Sequence, residues 1–182
     1  MKRNSDEKKI YIILTYTGSV LSRIIRRYTR YEFSHVSIAT DSPLNEMYSF
    51  GRIRPYNPFV AGFVHEDPHN GTFKRFKDTT SEVYSMTISR EQFENLKKTI
   101  RSMKQNRQEY RYNMLGLCAM VLHKKLRREN AFYCAEFVQY VLDSAEVQNN
   151  LPELVKPSDF TEIDNLQLVY RGRLKDYAPA SA

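Results

Sequence analysis

The sequence predicts an α+β fold: an antiparallel sheet with helices packed on it and a cysteine at the N-terminus of one helix. Three observations carry that expectation. Strand-like segments come first, over residues 10–16, 33–40, 46–50, 72–76 and 82–88. Helical periodicity then runs from Ser89 to Ala145, and a closing strand follows at 166–170. Strands and helices gathered in runs, rather than alternating, are the mark of an antiparallel sheet with segregated helices. The third observation is Cys134, which heads the last and most regular of the helical patterns.

Each element has its own signal. Residues 10–16 are apolar and β-rich, as in a buried strand. After Gly18-Ser19, the residues Val20, Leu21, Ile24, Ile25 and Tyr28 recur at helical spacing, and the other face carries Arg23, Arg26, Arg27 and Arg30. Residues 33–40 alternate, with Phe33, His35, Ser37 and Ala39 on one side and Val36 and Ile38 on the other. Asp41-Ser42-Pro43-Leu44-Asn45 is turn chemistry, so 46–50 reads as the returning strand of a hairpin. Gly51, Pro55, Asn57, Pro58 and Gly62 punctuate 51–62 as a long aromatic loop, of the kind that shapes access to a site. Ser89 followed by Gln92 is a capping box that opens a polar helix to about Gln105. Helices are expected at 113–128 and 133–145, with a short turn or helix at 157–160. No repeat, linker or low-complexity tract divides the chain, so 10–177 is read as one domain with a basic tail at 1–9 and another tail at 178–182.

Composition narrows the class. A chain of 182 residues can bury one substantial core, and 41% hydrophobic with 27% charged residues argues against wholesale disorder. Lysine and arginine exceed aspartate and glutamate by 28 − 21 = 7, which favours anionic partners without choosing among them. Two cysteines, Cys118 and Cys134, make neither a disulfide framework nor the paired spacing of a zinc site. The apolar run 114–122 is less than half of the ~20 residues of a membrane span. The run 10–14 is shorter than a signal-peptide core, so the expected setting is reducing and cytoplasmic. His65-Glu66-Asp67-Pro68-His69 clusters metal-capable side chains, but Pro68 breaks the helix such a site needs; a solvated loop is the preferred reading, and no metal or other cofactor is expected.

Cys134, Phe137, Val138, Val141 and Leu142 follow i, i+3, i+4, i+7, i+8, so the thiol heads a buried stripe. A core cysteine is one reading, since free cysteine is among the most buried residues. The functional reading is a nucleophile: unpaired amides and partial positive charge at a helix N-terminus stabilise a thiolate and an oxyanion. His35, on a strand with small neighbours Ser37 and Ala39, is a candidate base. Such a pair needs a third polar group to hold the imidazole, and the returning hairpin strand offers Glu46, with Tyr48 or Ser49 as alternatives. Cys118, in an apolar run, reads as packing.

The Ser34-His35-Val36-Ser37-Ile38-Ala39-Thr40 strand and the Phe132-Tyr133-Cys134-Ala135-Glu136-Phe137-Val138-Gln139-Tyr140-Val141-Leu142 helix resemble the NlpC-type papain-like superfamily. The order, histidine before cysteine, resembles its circularly permuted branch, which includes YiiX-like proteins and relatives of lecithin retinol acyltransferase. The resemblance spans roughly residues 10–172, with its specificity in those two motifs. It implies a papain-like α+β fold with Cys134 as nucleophile, His35 as base and Glu46 as the orienting residue, although no histidine stands at the third position. Family members carry a tyrosine near the oxyanion site, and Tyr112 is the matching residue here.

The expected activity is that of a cysteine hydrolase or acyltransferase acting on a peptide, another amide or an acyl lipid through an acyl-enzyme. The rival is a non-catalytic module on the same fold that grips an anionic surface or polymer through Arg23, Arg26, Arg27 and Arg30. A second basic run, Lys124-Lys125-Leu126-Arg127-Arg128, reads as a solvated face, and no nucleic-acid motif accompanies either cluster. Residues 56–59 and 114–122 fit an apolar substrate moiety and core packing equally well.

Overall fold

The apolar run in the first strand, β1 (Glu7–Tyr16), faces both ways. Ile10, Ile12 and Leu14 enter one core cluster, while Tyr11 and Ile13 enter a second, smaller one. A strand covered on both sides reads as a continuous apolar stretch rather than an alternating one. The computed structural model describes residues 6–122, 124, 126 and 128–179. Within it the chain is α+β, built on a six-stranded antiparallel sheet.

After β1 come α1 (Val20–Thr29), β2 (His35–Ala39), β3 (Met47–Arg54), β4 (Asn57–Glu66), α2 (Gly71–Arg75) and β5 (Thr80–Ser89). The chain continues through α3 (Arg90–Gln105), β6 (Arg111–Tyr112), α4 (Met114–Val121), β7 (Ala131–Phe132) and α5 (Cys134–Ser144). A 3₁₀ turn (Pro157–Glu162), β8 (Gln167–Arg173) and a last 3₁₀ turn (Leu174–Asp176) complete it. The strand order is β4-β3-β2-β1-β5-β8, and β6 and β7 form a separate parallel pair. Helices α3 and α5 pack on the sheet and on each other. Their Leu96, Ile100, Phe137, Val138, Val141 and Leu142 close the larger core over Val36, Ile38 and Phe50. Phe73 of α2 and Leu174 close the smaller one over Ala39, Met47 and Val83.

Several expectations are corrected. Residues 51–62 are not a loop: β3 and β4 form a long hairpin that turns at Pro55-Tyr56, with Gly51 opposite Gly62 and Arg54 opposite Asn57. Pro58 is compatible because β4 is an edge strand, where a missing N–H breaks no ladder. Residues 72–76 are helix rather than strand. Asp67 turns the chain by accepting from His69 N and Asn70 Nδ2, both at 2.7 Å, and Phe76 N then donates to Thr72 O at 3.0 Å. The expected helix over 113–128 ends as α4 at Val121. Asn113 Nδ2 donates to Leu126 O at 3.0 Å, whereas thirteen residues of helix would separate them by about 20 Å.

Glu7, Lys8 and Lys9 belong to β1, paired with Ser89, Ile88 and Thr87, rather than to a tail. Phe33 precedes β2 and packs in the same cluster as Val36 and Ile38, so the alternation begins only at His35. Residues 1–5 and 180–182 of the expected tails, and Lys125 and Arg127 of the basic run, lie outside the described residues, as do the side chains of Pro58 and Phe59. No helix among the described residues is long and apolar enough to cross a membrane.

The Ser89 capping box is present: Gln92 N donates to Ser89 Oγ at 3.1 Å and Ser89 N to Gln92 Oε1 at 3.0 Å. Ser89→Ala removes one of the two bonds at the start of the helix that supports the core. It is expected to lower the unfolding free energy by about 1 kcal/mol, read as a shift in urea midpoint with unchanged slope.

Candidate active site

The first turn of α5 is tied down from two sides. Glu136 Oε2 accepts from Tyr133 N at 3.1 Å and from Asn113 Nδ2 at 3.3 Å, while Tyr133 Oη donates to Val155 O at 2.8 Å. The first helical bond runs from Phe137 N to Tyr133 O at 3.0 Å. The amides of Cys134, Ala135 and Glu136 therefore precede the helical ladder, the position in which N–H groups lack intrahelical acceptors. Behind the thiol, Ala135, Phe137, Val138, Val141 and Leu142 are fully buried and anchor the helix to the sheet.

Asn113 joins this end of the helix to the segment carrying Tyr112. It is fully buried, its Oδ1 accepts from Gly116 N at 2.9 Å, and its backbone N donates to Phe132 O at 2.9 Å. Gly116 is required by that contact, because a Cβ there would meet the Asn113 side chain at 2.1 Å. Tyr112 pairs with Phe132 across β6 and β7, two residues before Cys134.

His35 opens β2, and its Nε2 lies 3.0 Å from Glu66 Oε1. Ser37 Oγ donates to the other carboxylate oxygen at 2.5 Å. Glu66 ends β4, opposite Met47, so its side chain reaches back past β3 to meet β2. Gly51 leaves that passage open: a Cβ there would stand 3.4 Å from both Glu66 Oε1 and His35 Cε1, and 3.2 Å from Ser49 Oγ. With Nε2 committed to Glu66, Nδ1 is the ring nitrogen left for a thiol. Cys134 and Tyr112 line the same narrow cleft as His35 and Glu66, with Ser34, Arg52 and Phe73 among its other walls.

The electrostatics follow from burial and charge. Burial pushes the His35 pKa down, but the Glu66 charge, then hydrogen bonding to Cys134 and Glu66, outweigh it and raise it from 6.5 to about 10. Burial pushes the Glu66 carboxyl up, and the His35 charge with hydrogen bonds from His35 and Ser37 brings it below its ordinary value. The two form an imidazolium–carboxylate pair, only 20% and 9% exposed. Burial, followed by negative charge at Cys134, raises the Tyr112 phenol, so its hydroxyl keeps its proton and remains a donor.

Three of the residues singled out in the sequence, Cys134, His35 and Tyr112, thus meet in one cleft. Glu46 does not. It is exposed at the hairpin turn, its backbone N bonded to Asp41 Oδ1 at 2.8 Å and its carboxylate accepting from Tyr48 Oη. Residue 46 lies before β3, beyond the far end of β2 from His35. Tyr48 stacks with Phe63 and packs against His65, away from the imidazole, whereas Ser49 is buried beside Glu66. The partner missed in the sequence is Glu66, set aside there as part of a polar loop. No local pattern marks it, because residues 61–66 alternate neither in polarity nor in burial. His65 instead contacts Asn45 O at 2.5 Å, and no group of three or more metal-capable side chains forms among the described residues. Cys118 is exposed rather than packed, and Cys134 is the buried thiol.

No protein-family model matches this chain, and no curated protein matches it. What the chain does is therefore argued from the cleft.

The pair makes stability depend on pH in a definite direction. His35, raised on folding, contributes fully below its unfolded value near 6.5 and loses that contribution as pH rises toward about 10. Glu66, lowered on folding, contributes above its ordinary 4.5 and loses that contribution as pH falls below it. The stability difference between wild type and Glu66→Gln is thus expected to be largest near pH 4.5–6.5 and to shrink on either side, as read by denaturant titrations across pH.

Proposed function

We propose that the protein is a cysteine hydrolase or acyltransferase on a papain-like scaffold of the permuted NlpC type. Cys134 is the nucleophile, His35 the base, and Glu66 the residue that holds the imidazole. The observation that carries this reading is the buried His35–Glu66 pair in one cleft with a thiol at the head of a helix. A free-standing core cysteine has no need of a charged imidazole beside it, and burying that pair costs desolvation that only its mutual contacts offset.

The chemistry runs through the residues in the cleft. Glu66 favours the imidazolium form of the ring, so the proton of the Cys134 thiol resides on His35 Nδ1 and the sulfur carries the negative charge of the pair. The sulfur attacks the carbonyl carbon of an amide, ester or thioester. The resulting oxyanion is met by the amides at the start of α5 and by the protonated hydroxyl of Tyr112. Collapse breaks the bond to the leaving group, which takes the proton from His35. Water, deprotonated by His35, then releases the acid; an amine or alcohol in its place gives transfer. The two cysteines suit a reducing compartment such as the cytoplasm.

A second reading, the non-catalytic module on an anionic surface, is favoured by one observation on α1. The helix bears Arg23, Arg26, Arg27 and Arg30 with no acid in its first turn, and it exposes Val20, Ile24 and Tyr28 at a spacing of four. Apolar residues beside arginines fit an anionic lipid surface better than a polyanion in water.

Two measurements separate these readings. In a Cys118→Ser background, which removes the exposed thiol, 4-nitrophenyl acetate is expected to give a burst of nitrophenol and an acetyl mass increment on Cys134. His35→Ala is expected to slow acylation by about 10²-fold or more. An acylation rate that His35→Ala leaves unaltered would sink the mechanism. For the second reading, co-sedimentation with vesicles containing a third phosphatidylserine should fall steeply with salt and vanish on Arg26→Glu/Arg27→Glu, while Cys134→Ser keeps all biological activity. Loss of that activity in Cys134→Ser rejects it.

A further inference from the structure

Arg52 of β3 carries a guanidinium that has no counter-charge at ion-pair distance among the described residues. Its side chain is half-buried in the wall of the cleft that holds Cys134, His35 and Tyr112. No carboxylate among the described residues lies within ion-pair distance of it. Its one hydrogen bond of short length is neutral, Nη2 donating to Ser19 Oγ at 2.6 Å. Glu66, the acid in the same cleft, is committed to His35 and to the Ser37 hydroxyl. Burial, and then the charge of Arg75, disfavour the charged form of Arg52; both guanidiniums lie against the Phe76 ring, Arg52 at 5.5 Å and Arg75 at 5.1 Å from its centre. A half-buried guanidinium with no carboxylate at ion-pair distance is stabilised when an anion joins it.

A second observation comes from Ser34. It is 97% buried, its Oγ has no hydrogen-bond partner among the described residues, and it lines the same cleft. Buried hydroxyls are seldom left unpaired, and an unmade bond here costs more than a made one contributes. Ser34, His35 and Cys134 all line this cleft, so a group bonded to the Ser34 hydroxyl would share it with the thiol. Thr17 and Ser22, by contrast, are engaged with the Ser19 side chain and carbonyl.

We propose that Arg52 and Ser34 form an anion subsite, and that the substrate acylating Cys134 bears a carboxylate or phosphate-type group held there. The proposal deepens the cysteine-hydrolase reading and rests on it. Leu21, Ile25 and Phe73 line the cleft as well, so the rest of that substrate is a short apolar moiety. Arg52 binds and orients; it takes no part in bond making. A guanidinium is suited to this task because its planar fork matches both carboxylate and phosphate oxygens.

The test compares matched esters in the Cys118→Ser background. In the acyl part, 4-nitrophenyl hydrogen glutarate and the 4-nitrophenyl ester of 4-phosphonobutyric acid are set against neutral 4-nitrophenyl valerate. In the leaving group, 3-acetoxybenzoate is set against phenyl acetate. At least one anionic ester is expected to exceed its neutral match in kcat/KM by about tenfold or more. The carboxylate and phosphonate arms tell the two anions apart. Arg52→Gln should bring the ratio close to one, Arg52→Lys should keep part of it, and Ser34→Ala should lower it by a smaller factor. Wild-type ratios near one in every pair, or a ratio untouched by Arg52→Gln, overturn the subsite. Isothermal titration of Cys134→Ser protein with glutarate and with phenyl phosphate separates the two hypotheses. Binding that depends on Arg52 without any ester turnover would uphold the subsite and reject the hydrolase; binding of neither anion, or binding equal in Arg52→Gln, rejects the subsite.

Discussion

The carboxylate of Glu66 leaves the end of β4 and reaches past β3 to the imidazole that opens β2, and most of the cleft depends on that reach. Three features permit it. The β3–β4 hairpin sets Glu66 opposite Met47. Gly51 keeps the strand between them bare where the side chain passes. Ser37, two residues beyond His35 on the same strand, takes the second carboxylate oxygen at 2.5 Å. Burial works against both charges, and the contacts between them decide the outcome: the ring stays protonated to about pH 10 and the acid stays ionised below its ordinary range. A buried pair of this kind is poor evidence for stability, since apolar residues would fill the space at less cost.

On the other side of the cleft, the larger core and the thiol are continuous. The stripe Phe137, Val138, Val141 and Leu142 binds α5 to β2 and β3, and Phe137 packs against Phe50 and Phe63 at centroid distances of 5.3 and 5.7 Å. Packing of that density resists displacement, so the first turn of the helix is held in place by residues far from any chemistry. Asn113 adds the lateral constraint. It caps α4, holds the chain near Leu126 and bonds Glu136, which in turn bonds the amide ahead of Cys134. Tyr112 is its neighbour in sequence, so one buried amide side chain sets both the phenol and the helix end. Helix α1 has a similar double position: Leu21, Ser22 and Ile25 wall the cleft, while Val20, Ile24, Tyr28 and the arginines face outward.

Much of this was legible in the chain. The apolar stripe below Cys134 and the Ser89–Gln92 capping box are local patterns that form where the pattern places them, and the alternation around His35 forms from His35 onward. The misreadings also share a cause. Glycine and proline in 51–62 read as punctuation because nothing local shows that the segment becomes an edge hairpin, where both residues are tolerated. Glu46 was preferred to Glu66 because it stands on the next strand in sequence, and only cross-strand register reveals which acid can reach the ring. The helix at 113 stops at Val121 because Asn113 bonds the returning chain, a contact between residues thirteen apart that helical periodicity does not register.

The sequence by itself determined the α+β class of the fold, the buried apolar strand at 10–16, the helix that starts at a thiol and a strand containing His35. These follow from side-chain period and capping, which act over a few residues. The tertiary structure decided which carboxylate faces His35, that Cys134 is buried and Cys118 exposed, and that Arg52 lines the cleft. Those outcomes depend on strand register and on burial, and both are set only when segments distant in the chain are packed together.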